Sequence, residues 1–228
     1  MTGYWEKFWH DHAAGAGDDS HQTQVLRTLN RIPIDQQKWE QTQTFVLEHL
    51  ELRPGDRVLD LGGGNGLFAR AIAERCSEVC VVDFSAPLLN SNLHQHPSIQ
   101  CIKSDIRNVE FEERRFDRIL CYAVLQYLSE NDALKLFKNA GCWLAEGGVF
   151  YLGDIPDSAQ KWKFFNSPER RENYFKAVEK NEPIVGTWFD MQWLKHMGEY
   201  AGFGETEIVD QPDYQIYSWF RSDLKCRK

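Results

Sequence analysis

The sequence has no surplus of positive charge: 26 Lys and Arg stand against 34 Asp and Glu, a formal net charge of −8 over 228 residues. Such a surface repels phosphate backbones, so nucleic acid is excluded as a default partner. No apolar run approaches the roughly 20 residues that cross a bilayer, and no membrane partner is expected. The opening Met-Thr-Gly-Tyr-Trp-Glu-Lys lacks the basic start and apolar core of a secretory signal, so the expected location is cytoplasmic. The cysteines (Cys76, Cys80, Cys101, Cys121, Cys142 and Cys226) form no C-x-x-C pair and have no histidine at zinc spacing. They read as small buried hydrophobes. The pairs His10/His12 and His94/His96 read as solvated, and no metal is expected.

Repeats and low-complexity tracts are also missing; what is present is an alternation of strand-like and helix-like segments. Strands are predicted at 57–61, 79–82, 99–103, 116–122 and 147–152, with helices over 67–75, over 87–94 capped by Ser85, and from Ser129 onward. Strands separated by helices at this spacing are parallel, with right-handed crossovers. A helix over 191–201, a strand over 205–210, a Gln-Pro-Asp turn and a strand over 214–221 predict an antiparallel end. The expected fold is α/β: a doubly wound, mostly parallel, Rossmann-like sheet of seven strands in one domain, closed by an antiparallel C-terminal hairpin. Two segments stand outside it, a helical lid over 1–50 and a substrate-cap insertion over 154–190.

The glycine cluster Val58-Leu59-Asp60-Leu61-Gly62-Gly63-Gly64-Asn65-Gly66 sits at a strand-to-helix junction, where missing Cβ atoms let a ligand approach the backbone. It has no Gly-Lys-Ser/Thr, which excludes a triphosphate loop. Leu67 stands where a dinucleotide-binding G-x-G-x-x-G needs a small residue, and Asp60 in front disfavours a pyrophosphate while suiting a cationic ligand. Asp83 ends the second strand about 20 residues on, where a carboxylate can accept from both hydroxyls of a ribose. Asp105 ends the third and can accept from an adenine amino group, with Phe84 and Ile106 packing on the purine.

The runs D-L-G-G-G-N-G, V-V-D-F-S, K-S-D-I and F-D-R-I-L-C-Y-A-V-L-Q-Y-L resemble the successive motifs of class I S-adenosylmethionine-dependent methyltransferases of the small-molecule type. The resemblance covers residues 57–153. It implies S-adenosyl-L-methionine as cofactor, with Gly62 and Gly64 bracketing its methionine part, Asp83 on the ribose and Asp105 with Ile106 on the adenine. The backbone around Cys121 and the side chain of Gln126 would face the methionine end. Two competing readings are a cofactor-binding module without catalysis and a nicotinamide-dependent oxidoreductase. The second lacks both the third glycine and a Tyr-x-x-x-Lys pair.

The acceptor is less legible. Cys121-Tyr122-Ala123-Val124 replaces the Asn/Asp-Pro-Pro-Tyr/Phe of enzymes that methylate exocyclic amines, which leaves a small-molecule substrate carrying an oxygen or nitrogen nucleophile. Six basic residues between Lys161 and Lys180 suggest an anionic sugar or metabolite, though ion-paired helix charges explain them too. Asp154, after the fifth strand, is the expected general base, with a turn aspartate as the alternative. Tyr4, Trp5 and His10 are the expected lid residues.

Overall fold

The computed structural model describes residues 2–15, 20–89 and 93–228. Helix α1 (Thr2–Gly15) and the single turn α2 (His21–Gln24) lead to a minimal antiparallel ladder, β1 (Thr28–Leu29) with β2 (Ile32–Pro33), and to helix α3 (Gln36–His49). The alternating core follows as β3 (Arg57–Leu61), α4 (Leu67–Ala73), β4 (Glu78–Asp83), α5 (Ala86–Leu89), β5 (Ile99–Lys103), β6 (Phe116–Tyr122), α6 (Glu130–Trp143) and β7 (Leu144–Pro156). Then come α7 (Lys161–Phe164), α8 (Pro168–Lys180), α9 (Met191–Tyr200), β8 (Glu205–Val209) and β9 (Arg221–Arg227).

The seven-stranded sheet has the order β5-β4-β3-β6-β7-β9-β8. Its first five strands are parallel, and β9 runs antiparallel to both β7 and β8. The central strands are Val-, Ile- and Leu-rich because both their faces are covered. On one face α6 and α9 pack Phe137, Leu136 and Leu194 onto Ile119 and Phe150. On the other, Trp39, Val46 and Ile72 from α3 and α4 cover Val58, Val79 and Leu120. Strand order reverses between β3 and β6, and the crevice outside the carboxyl ends of these strands is where such sheets bind ligands.

The five expected core strands are all present, and β7 extends beyond its predicted ends. Ser129 caps α6, its Oγ accepting from Asp132 N at 3.1 Å. Of the helix expected over 87–94, residues 87–89 are helical, residues 90–92 lie outside the described residues, and Leu93–Gln95 forms a 3-10 turn. Ser85 starts α5 through its carbonyl, but its Oγ is buried without a partner and caps nothing.

The terminal hairpin differs from expectation. Residues 214–220 form turns rather than a strand, and the pairing strand is Arg221–Arg227. Arg-Ser-Asp-Leu-Lys-Cys-Arg reads as a polar tail, yet Arg221 and Asp223 are buried. Their partners, Asp154 and Tyr151, are far away in sequence.

Candidate active site

Leaving β3, the chain turns at Gly62 (φ 71°), whose N–H donates to Val82 O at 2.7 Å. A Cβ on Gly62 would stand 2.4 Å from the Val124 side chain, and one on Gly63 would stand 2.5 Å from Asp60 Oδ2. The turn is thus pressed between β4 and the loop after β6, and a side chain would block it. Asp60 is buried beneath this turn, and its Oδ2 has no hydrogen-bond partner. Burial first, and the neighbouring Asp83 second, push its pKa up to about 7. A buried carboxylate oxygen without a donor is costly, and a cationic ligand would satisfy it.

Asp83, at the end of β4, accepts from Gly64 N at 2.9 Å and from Ser85 N at 2.8 Å, one donor on each oxygen. Burial raises its pKa to about 6 against the pull of these amides. Each oxygen keeps a free lone pair for a ligand hydroxyl. Asp105 is engaged by Arg107, whose Nε lies 2.8 and 3.0 Å from its two oxygens and whose N–H donates at 2.9 Å. Burial would raise the Asp105 pKa, but Arg107 more than offsets it and the net shift is downward. Arg107 also reaches Glu6 of α1 at 3.3 Å, joining the loop after β5 to the N-terminal helix.

These groups line one cavity of about 570 Å³, together with Gly62, Gly64, Phe84, Ile106 and Gln126. Helix α1 closes it. Trp5 and Trp9, one turn apart, are buried, with ring centroids 4.7 and 6.0 Å from Tyr127. Tyr4 lines the mouth beside them. His10 does not join them: it is exposed and absent from the lining, because it lies about 100° around the helix from Trp9. Cys121 also falls outside the cavity. It is fully buried in the sheet core among Leu59, Ile119 and Leu152, and Tyr122, Ala123 and Val124 supply the wall.

Asp154, which lines the same cavity, does not present a free carboxylate. Its Oδ2 lies 2.8 Å from Arg27 NH1 and 3.2 Å from Arg221 NH1, and all three side chains are buried. Burial alone would raise the Asp154 pKa, but Arg221 and Arg27 hold it below the usual carboxylate range. An anion stabilised in this way is a poor proton acceptor, which corrects the general-base expectation. Arg221 also donates to Gln126 Oε1 and to the Asp154 carbonyl. Behind it, Asp223 accepts from Asp154 N at 2.7 Å and from the Tyr151 hydroxyl. Ala123, Asp154 and Val185 all have φ between 60° and 71°, and all three line the cavity. Non-glycine residues in this region are strained, and such strain concentrates at functional sites.

Of the two readings of the basic insertion, the solvated helix with ion-paired charges is the one the structure bears out. Helix α8, which carries Arg170, Arg171, Lys176 and Lys180, buries no residue and contributes none to the cavity. Its Lys176–Glu172 pair is an exposed i,i+4 contact. From residues 154–190 only Asp154, Phe164 and residues 183–185 reach the lining. The residues missed are Arg27, Arg221, Trp9 and Tyr217. Arg27 did leave a signal, a lone charge inside Val25-Leu26-Arg27-Thr28-Leu29, which calls for a buried partner; the partner's identity was not legible. Among the described residues no three His, Cys, Asp or Glu side chains gather into a metal-holding group, and no helix is long and apolar enough to cross a membrane.

Residues 58–148 match a family model described as a methyltransferase domain. A phosphoethanolamine N-methyltransferase 3 of Arabidopsis thaliana is 24% identical over 177 residues, covering 75% of this chain and 34% of the plant protein. A ubiquinone biosynthesis O-methyltransferase of Coxiella burnetii is 30% identical over 115 residues, 49% of this chain and 48% of that protein. The chain thus spans half or less of the length of these relatives. Among solved structures, phosphoethanolamine N-methyltransferase 1 of Haemonchus contortus, in complex with phosphoethanolamine and S-adenosylhomocysteine, superposes with a TM-score of 0.69 at 16% identity. That match covers 97% of this chain and 47% of the other.

Proposed function

We propose that this chain, which belongs to the class I S-adenosylmethionine-dependent methyltransferases, methylates an oxygen or nitrogen nucleophile of a small molecule held in the cavity beneath α1. The observation that carries the reading is the partnerless Asp60 oxygen buried under a glycine turn that admits no side chain. In this reading Gly62 and Gly64 border the methionine part of the cofactor, Asp83 takes the ribose hydroxyls, and Asp105, Ile106 and Phe84 hold the adenine. When bound, the cofactor supplies an electrophilic methyl group on a sulfonium. The chain's own contribution is to position the acceptor and to exclude water. Trp5, Trp9 and Tyr4 form the lid that excludes it. Asp154 acts by holding Arg27 and Arg221 in place, without taking a proton.

Isothermal titration calorimetry tests the reading. S-adenosylmethionine should bind at micromolar concentration and NADH should not; the reverse result would sink it. Asp60 adds a pH signature. Its carboxyl, raised to about 7, is neutral below that pH and anionic above it, and only the anion attracts a cation. Affinity for S-adenosylmethionine should therefore rise about ten-fold from pH 6 to pH 8, the linkage expected of one group titrating at the midpoint. Asp60→Asn should flatten that rise. A rise that survives the substitution would assign the titration to another group.

A further inference from the structure

Asp60 and Asp83 line the cavity at the glycine turn, and the same cavity is lined by two guanidiniums, Arg27 and Arg221, that share the single carboxylate Asp154. Asp223 sits behind Asp154 and contacts its backbone N–H, with no ion pair to either arginine. Neither guanidinium has a carboxylate to itself, and the walls around them are aromatic, among Tyr122, Tyr217 and Phe220. The donors are not used up either. A guanidinium has five N–H groups, and Arg27 engages one acceptor, Asp154, while its plane lies 4.7 Å over the Tyr122 ring. Arg221 Nε is buried without a partner. A triad that only tied the N-terminal segment to the sheet would not need a second arginine facing the cavity with a donor unmet.

We propose that Arg27 and Arg221 form an oxyanion site, and that the methyl acceptor carries a carboxylate or phosphate that docks there by charge-assisted hydrogen bonds. The proposal rests on the methyltransferase reading for its acceptor, but the anion site can be tested separately. The anion places the acceptor; Gln126, in the loop after β6, is held through its Oε1 by Arg221.

The test is calorimetric, on the full chain saturated with S-adenosylhomocysteine, at fixed ionic strength in chloride buffer, with inorganic phosphate and acetate as probes. At least one probe should bind with a stoichiometry of one, and the one that binds more tightly tells phosphate from carboxylate. Arg221→Lys keeps the charge but loses the planar fork, and should weaken that probe about ten-fold or more while S-adenosylhomocysteine affinity stays within about two-fold. Arg27→Met with Asp154→Asn, which removes a charge of each sign together, should do the same if either single variant fails to fold. Failure of both probes to bind the wild-type chain overturns the proposal, as does undiminished probe binding in the variants. A parallel fall in S-adenosylhomocysteine affinity also overturns it, by assigning the arginines to the cofactor's own carboxylate. Absence of any S-adenosylhomocysteine binding to the wild type would refute the methyltransferase reading instead, and probe binding to the ligand-free chain would still decide the anion site.

Discussion

Asp154→Ala should lower the free energy of unfolding by about 3–5 kcal/mol, the range seen when one partner of a buried ion pair is removed. The size follows from what remains. Arg27 and Arg221 are both buried and both lean on the same Asp154 oxygen. Without that anion, two guanidiniums face each other in a poorly solvated pocket lined by aromatic rings. Asp154→Asn should cost less, because an amide oxygen can still accept from one of them. The pH dependence has a definite sign. The folded-state pKa of Asp154 is lowered, so its stabilisation is fully present above the unfolded value of about 3.9 and is lost only as pH falls through the lower folded value. The cost of the alanine variant should accordingly be the same at pH 5 as at pH 8. Urea or guanidinium denaturation followed by tryptophan fluorescence measures it. A cost below about 1 kcal/mol would be that of a surface pair, and would mean that water reaches the triad. A loss of turnover in Asp154→Asn without loss of stability would restore the general-base role that the geometry argues against.

Asp83→Ala should weaken S-adenosylmethionine binding by about 1–3 kcal/mol, the worth of hydrogen bonds to a charged acceptor. The carboxylate holds the loop amides of Gly64 and Ser85, and in the proposed reading its remaining lone pairs take the ligand hydroxyls. Stability should change much less than affinity. Burial raises the Asp83 pKa to about 6, and a raised acid contributes stability below its unfolded pKa that is lost as pH rises through the folded value. At neutral pH the variant therefore escapes a burial penalty while it loses two amide contacts, and the two effects oppose each other. Titration calorimetry for affinity, with thermal unfolding of the ligand-free chain beside it, separates them. An unchanged affinity would mean that the ribose is not held by Asp83. A large fall in both quantities would make Asp83 a loop anchor first.

Much of the fold was legible because its signals are local. Val58–Leu61 and Val79–Val82 are segments of strand length, and the helical spacers α4 and α6 call for parallel crossovers. The donor side of the site was legible for the same reason. In this sheet type the ends of successive strands meet at one crevice, so Gly62, Asp83, Asp105 and Ile106 could be placed together from their positions alone. Gln126 could be placed in the same way. Where the local signal was ambiguous, expectation and structure part. Cys121 lies one residue short of the cavity wall, and strand alternation turns it into the core. His10 sits on a helix whose inward face is set by Trp5 and Trp9.

The sequence by itself determined the α/β sheet, the crevice and a set of residues that line it, because period, strand ends and glycine turns are short-range properties. Only the tertiary structure decided the arginine pair in the same cavity. Arg27, Asp154 and Arg221 come from the N-terminal segment, the end of β7 and the start of β9, and the bond from Arg27 to Asp154 spans 127 residues. Arg27 and Asp154 stood out locally, but neither neighbourhood names the other as its partner, and Arg221 carried no signal at all. A charge is buried only where a distant partner and a low-dielectric wall arrive together, and that meeting is a property of the packed chain.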